Sequence, residues 1–391
     1  MIWERDVEIL SRLILLAAYA AAAGVMAAGP PPVDYPVYLM AADGFRRGEN
    51  VYRWTAEDYA RAAARLGFSR YTLPYRYPPL TALLVRPLVD LPDRGRWAWM
   101  LLQALGAWAT AEVLAGSART PQGRAGIRLA VGLFPPFLVS LYAGQVNPLA
   151  TGLLVGAFWA LRNGQEGVGG SLLGISLMVK PIGIGLAGYL LWRGRWRALG
   201  AALGGTGLAL GLSLLAFGPA AMGFVGLPTP TGASAYPPAQ SLPGLAARWL
   251  THHPYGFSIA DRPDLAQGVG MGLALGLVLA TLIRSGRPGT GPWSDRTAGG
   301  WLMAALLANP GTWYHHFTIA AIPLAVQAHR WPTGRWGLLA AYSGMALWSG
   351  LWRLRVGFTP LLDLATLGGL LLWAQLMGER VPGTVAPPAS S

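Results

Sequence analysis

Apolar runs of membrane-crossing length recur along almost the whole chain, and no other feature restricts its fold so strongly. A crossing needs roughly 17–25 predominantly apolar residues. Clear runs lie at 9–28, 97–117, 128–143, 147–162, 197–217, 267–284, 335–351 and 360–377, with shorter ones at 298–309 and 315–328. The run 168–192 is too long for one straight crossing and is interrupted at Lys180-Pro181. Proline removes a helical hydrogen bond, so this run reads as two short helices meeting at Lys180. A broken helix at membrane depth is tolerated only where it lines a cavity or is buried in protein. The count comes to about twelve spans. Composition agrees: 12% of residues are charged, against roughly 25% in a soluble domain, too few to clothe a soluble surface of this length. The pattern predicts an all-α polytopic membrane protein, one integral-membrane domain over 1–378 with a disordered tail at 379–391. A disordered chain, a coiled coil and an ordinary cytosolic enzyme are excluded.

Charge placement gives a topology. The net charge is +13, which in a soluble protein would point to nucleic acid. Here the arginines sit between apolar runs, where they meet anionic headgroups and set orientation. Arg119, Arg124 and Arg128, then Arg193, Arg195 and Arg197, then Arg284, Arg287 and Arg296, then Arg330 and Arg335 fall on the cytoplasmic side if both termini are inside and 168–192 crosses twice. Arg353 and Arg355 are exceptions and land outside. Residues 29–96 and 218–266 become long extracytoplasmic segments, the first with amphipathic stretches near 36–48 and 56–66 expected to lie on the membrane surface. The first span is flanked by Glu4, Arg5, Asp6, Glu8 and Arg12, which does not fit a secretory leader and predicts an uncleaved helix. The chain has no cysteine, which removes disulfides, thiolate metal sites and cysteine nucleophiles.

Polar residues gather at the outer ends of different spans. Asp34 follows three prolines beside Tyr35 and Tyr38. A carboxylate partly desolvated at a membrane boundary gains proton affinity, which suits a general base; a helix cap is the plainer alternative. Tyr75-Arg76-Tyr77-Pro78-Pro79 offers a guanidinium fork for phosphate and phenol rings for a lipid or sugar face, or simply starts a helix. Gln145 and Asn147, in Gly144-Gln145-Val146-Asn147-Pro148, are amides able to bond sugar hydroxyls, or a capped turn. Lys180 is the only lysine in the chain. A lysine within a span costs about 2.5–3.5 kcal/mol on insertion scales and so points to function, with snorkelling as the alternative. Trp313-Tyr314-His315-His316 supplies paired imidazoles for proton transfer or phosphate contact. Adjacent histidines diverge on a helix, and no HExxH, CxxC or acidic cluster accompanies them, so no metal site and no cofactor is expected. Gly183-Ile184-Gly185-Leu186-Ala187-Gly188 has the dinucleotide spelling but follows no strand. Gly207/Gly211 and Gly272/Gly276 read as helix-packing faces.

In order along nearly the whole chain, these pieces resemble glycosyltransferase family 87 of the GT-C superfamily. The resemblance rests on Asp34-x-x-x-Tyr38-x-x-Ala41, Gly48-x-x-x-Tyr52, Tyr77-Pro78-Pro79 with Pro87-Leu88 and Leu91-Pro92, Gly144-Gln145-x-Asn147, Gly174 through Lys180-Pro181, Gln240-Ser241-Leu242 with Arg248, and Trp313-x-His315-His316. Ala239 departs from the family, where asparagine is expected. The resemblance implies a GT-C-like bundle in the cell inner or plasma membrane with an extracytoplasmic active site. It implies a polyprenyl-phosphate-linked sugar donor, most often mannose, and a lipid or glycolipid acceptor; nucleic acid is not an expected partner. By position the catalytic acid of the family matches Asp34, and its histidine matches His315 or His316. On this reading Lys180, Arg76, Tyr75 and Tyr77 face donor phosphate, while Gln145, Asn147, Tyr38 and Trp313 face sugar or acceptor. A transporter or flippase is the competing expectation, since broken helices occur there too.

Overall fold

In a bilayer the backbone must satisfy its own hydrogen bonds, and only helices do so within one segment. A computed structural model of the chain meets this demand throughout. It describes residues 2–29, 32–68, 73–227, 232, 234–289, 292–328, 334–354 and 357–378. The elements are α1 (Ile2–Ala28), α2 (Tyr35–Arg46), α3 (Ala56–Arg65), α4 (Pro79–Val85), α5 (Pro92–Ala115), α6 (Pro121–Gly132), α7 (Pro135–Ala143), α8 (Asn147–Arg162) and α9 (Glu166–Val179). They continue with α10 (Ile184–Trp192), α11 (Trp196–Phe217), α12 (Leu242–Leu250), α13 (Pro263–Arg284), α14 (Asp295–Ala308), α15 (Ala321–Ala328), α16 (Arg335–Arg353), α17 (Thr359–Leu362) and α18 (Leu364–Gly378). Among the described residues there is no strand, only an isolated antiparallel bridge between Ala239 and Trp313. The chain is an all-helical membrane protein.

Four helical segments among the described residues are long and apolar enough to cross a membrane: Asp6–Met26, Gly95–Ala115, Trp196–Gly226 and Pro263–Arg284. A fifth is gained if α6 and α7, bent by 41°, count as one span. The expected count of about twelve is therefore not confirmed; apolar helices such as Glu166–Val179 and Leu364–Gly378 are shorter than a crossing. The run 128–143, read as one crossing, contains that bend: Pro135 and Pro136 follow Phe134, and the ladder restarts at them. The break at Lys180 occurs where expected. Pro181 disfavours helical geometry in the residue before it, and Lys180 is extended at φ −160°, ψ 129°.

Between α1 and α5, α2 is enclosed by the rest of the protein. α2 is buried from Tyr35 to Phe45, and its apolar side chains form a cluster with Tyr75, Val146, Met178, Val179 and Phe217. The amphipathic stretch near 36–48 is thus an inner helix. Asp43 fixes it to α3: its buried carboxylate accepts from Arg47 Nε at 3.1 Å and Arg65 Nη2 at 3.1 Å. α3 is nucleated by a capping box in which Thr55 and Asp58 satisfy each other's backbone N–H.

Helix packing corrects the reading of the small-residue pairs. Nothing lies within 4 Å of a Cβ built on Gly207, Gly211, Gly272 or Gly276, so these faces are open rather than packed. The close approach is made by α9 on α11. A Cβ on Gly170 would sit 2.1 Å from the Ala198 carbonyl, and one on Gly174 2.0 Å from that of Ala202. This contact holds the end of α9, and so Lys180, in place. Arg330, Arg355 and the expected tail at 379–391 lie outside the described residues.

Candidate active site

The turn Gly144-Gln145-Val146 is the keystone of the polar cluster. Gly144 closes α7 at φ +69°, a left-handed conformation that favours glycine, and a Cβ there would also press on Pro32 and Tyr35. Trp99 Nε1 donates to the Gly144 carbonyl at 2.8 Å, and Gln145 N donates to Ser140 O at 2.8 Å. Asp34 is docked against the same turn through its backbone N–H, 2.9 Å from Ala143 O. It stands at the N-cap of α2, yet its side chain makes no capping hydrogen bond. The carboxylate is therefore left for other partners.

Gln145 lies at the centre and is only 2% exposed. Its Oε1 accepts from Lys180 Nζ at 3.0 Å, Tyr38 Oη at 3.2 Å and Tyr77 Oη at 3.3 Å. Lys180, 6% exposed, turns inward instead of snorkelling, and its Nζ lies 5.1 Å from the centre of the Tyr77 ring. The Gln145 amide and the Lys180 ammonium are the groups near enough to the Asp34 carboxylate to favour its ionised form. Burial pushes the Asp34 carboxyl up to about 6, against the pull of Lys180 and Gln145 toward its ionised form. Among the described residues no ion pair within 4 Å joins Asp34 directly to Lys180. Carboxylate and ammonium share one cluster without pairing directly.

The histidine segment completes the cluster. Asn147 Nδ2 donates to the His315 carbonyl at 2.9 Å and to Ser140 Oγ at 3.3 Å. His315 and His316 both lie within electrostatic reach of Lys180, with their rings edge-on at 4.6 Å. His316 Nδ1 accepts from the Trp313 N–H at 3.1 Å, which leaves Nε2 to carry the proton in the neutral ring. The segment is tied to the chain before α12, since Tyr314 N donates to Pro238 O at 2.7 Å and Gln240 N to Thr312 O at 3.0 Å. Arg248 braces that chain from below by donating to Ala239 O at 2.7 Å, and it pairs with Asp363 at 2.6 Å.

Of the residues expected in a site, Asp34, Tyr38, Tyr77, Gln145, Lys180, His315 and His316 come together. Asn147 is fully buried, and its amide donor is engaged in holding the histidine segment. Trp313 is 42% exposed and packs on Tyr236 at 5.6 Å. Tyr75 has both ends engaged: its hydroxyl donates to Pro78 O at 2.7 Å and accepts from Ala82 N at 3.1 Å, where it starts α4. Arg76 is exposed and lies within electrostatic reach of Tyr59, with no hydrogen bond to Gln145 among the described residues. Trp99, Ser140 and Tyr236 did not stand out in the sequence; each acts through a backbone or ring partner that no local motif encodes. Among the described residues no group of three or more His, Asp or Glu side chains could hold a metal ion.

The model of glycosyltransferase family 87 matches residues 75–310, more than half of the chain. The chain belongs to glycosyltransferase family 87. Tyr77, Gln145, Asn147 and Lys180 fall within the matched region, whereas Asp34 precedes it and His315 and His316 follow it. No curated protein matches the chain. Membership in the family makes the protein a transferase of sugar and takes precedence over a transporter or flippase.

Proposed function

We propose that the protein moves a sugar, mannose first among candidates, from a polyprenyl-phosphate donor to a hydroxyl of a lipid or glycolipid acceptor. The reaction runs at the extracytoplasmic face of the cell inner or plasma membrane and inverts the anomeric centre. The observation that carries this reading is the pairing of a carboxylate, Asp34, and an ammonium, Lys180, across one amide within a single protein-lined cluster. The acceptor oxygen forms the new bond to the anomeric carbon while the bond from that carbon to the phosphate oxygen breaks. Asp34 takes the acceptor proton, and the electron pair leaves with the phosphate monoester. Lys180 stabilises the growing negative charge, with the histidine pair beside it. Charge-stabilising groups fixed in place before the reaction are worth most in a site that excludes water. Phosphate is already a good leaving group, so one carboxylate suffices where glycosidases use two.

A transfer assay tests this. Purified protein in nanodiscs is given labelled polyprenyl-phosphate mannose and a lipid extract of the source organism, with Asp34→Asn alongside. Wild type forms a labelled glycolipid; the variant binds donor but forms none. Asp34 must be ionised to accept a proton. The kcat/KM profile therefore falls tenfold per unit below an acid limb near the Asp34 value of about 6. Wild-type rates from Asp34→Asn would remove Asp34 from this role.

A further inference from the structure

An amide between an acid and an ammonium has two faces to satisfy, and at Gln145 both are engaged. Lysine carries donors only, so the atom facing Nζ at 3.0 Å is the amide oxygen, which also takes the hydroxyls of Tyr38 and Tyr77. The NH2 group then donates to Tyr77 Oη at 3.2 Å, and the Asp34 carboxylate lies near the same amide. With its oxygen accepting from three donors and its surface 2% exposed, this amide has no free acceptor for a sugar hydroxyl. Its place between opposite charges suggests a different task. In a low-dielectric pocket two unlike charges attract strongly and close into a direct pair unless something rigid stands between them. A direct pair would make Asp34 a poorer base and occupy the ammonium that the phosphate needs. The Gly144 turn holds the Gln145 backbone, through Trp99 and Ser140, so the spacer is fixed.

We infer that Gln145 is a positioning residue, an amide spacer that accepts from Lys180 and stands beside Asp34, so that base and phosphate cation act as separate groups. The inference rests on the roles proposed for Asp34 and Lys180. The groups facing Asp34 are Lys180 at the end of α9, Tyr77 before α4, Tyr38 on α2 and Gln145 itself, with His315 and His316 beyond Lys180.

Two substitutions move the acid limb of kcat/KM in opposite directions. Gln145→Glu keeps an acceptor for Tyr38, Tyr77 and Lys180 but sets a like charge beside Asp34, so the limb moves up by about one pH unit. Transfer then drops roughly tenfold below the limb and recovers at higher pH. Gln145→Met removes the amide and its bond to Lys180 and lets the ammonium reach Asp34, so the limb moves down and the plateau falls at least about tenfold. Melting temperature identifies the folded variant, and either one is decisive alone. A merely structural glutamine would lower rates without moving the limb, and a limb unmoved in a folded variant overturns the inference. If Asp34→Asn is active, the proposed function fails; if it is inactive while the Gln145 limbs stay put, only this inference fails.

Discussion

Replacing Lys180 with methionine should separate activity from stability. Nζ is almost fully enclosed, 3.0 Å from Gln145 Oε1 and 5.1 Å from the Tyr77 ring centre, and it is the only lysine in the chain. If it stabilises charge on the departing phosphate, its loss resembles removal of one fixed oxyanion donor, roughly 2.7–4 kcal/mol or a 10²–10³-fold fall in kcat. Stability has the opposite sign or none. Carrying lysine at depth costs about 2.5–3.5 kcal/mol on insertion scales, offset by a charge-assisted hydrogen bond worth about 1.5–3 kcal/mol. Methionine has nearly the same length, adds no polar group and leaves Gln145 Oε1 with its two tyrosine donors. Lys180→Met should therefore melt at the wild-type temperature or slightly above while transfer falls about a hundredfold. The assay pairs single-turnover transfer with thermal unfolding of the same nanodisc sample. A rate within threefold of wild type would refute the phosphate role. A rate loss accompanied by a fall in melting temperature would make Lys180 a structural residue.

Two further predictions concern packing. Gly174→Ala should lower the melting temperature, because its Cβ would meet the Ala202 carbonyl at 2.0 Å and forcing α9 from α11 costs about 1–3 kcal/mol. Gly207→Ala on the open face of α11 should be neutral or stabilising by up to about 1 kcal/mol through helix propensity; equal losses at both sites would contradict the assigned helix faces. Arg248→Met strands the carboxylate of Asp363, 1% exposed, at a cost of roughly 3–5 kcal/mol. The double variant with Asp363→Asn should recover much of that, as measured by denaturation midpoint.

The sequence alone determined the chemistry that had to be buried. An apolar chain with few charges must be helical in a bilayer, Lys180 stood out as a lone ammonium within a span, and Pro181 had to break the helix beside it. The order of Asp34, Gln145, Lys180 and His315-His316 was legible because each is a polar group that lipid would not tolerate without a partner. Tertiary structure decided which apolar faces are inside. Lipid tails and protein core are equally apolar, so hydrophobic period cannot tell them apart. For that reason α2 reads as a surface helix but is buried, and the open pairs Gly207/Gly211 and Gly272/Gly276 read like the packed Gly170 and Gly174. It also decided how the polar groups divide the work. Arg76 lies near Tyr59, Tyr75 starts α4, Asn147 holds the His315 carbonyl, and Gln145 stands between Asp34 and Lys180. Apart from Tyr75, whose partners Pro78 and Ala82 are near in sequence, these roles depend on partners far away in the chain, and a hydrogen bond exists only once the fold has brought its two ends within about 3 Å.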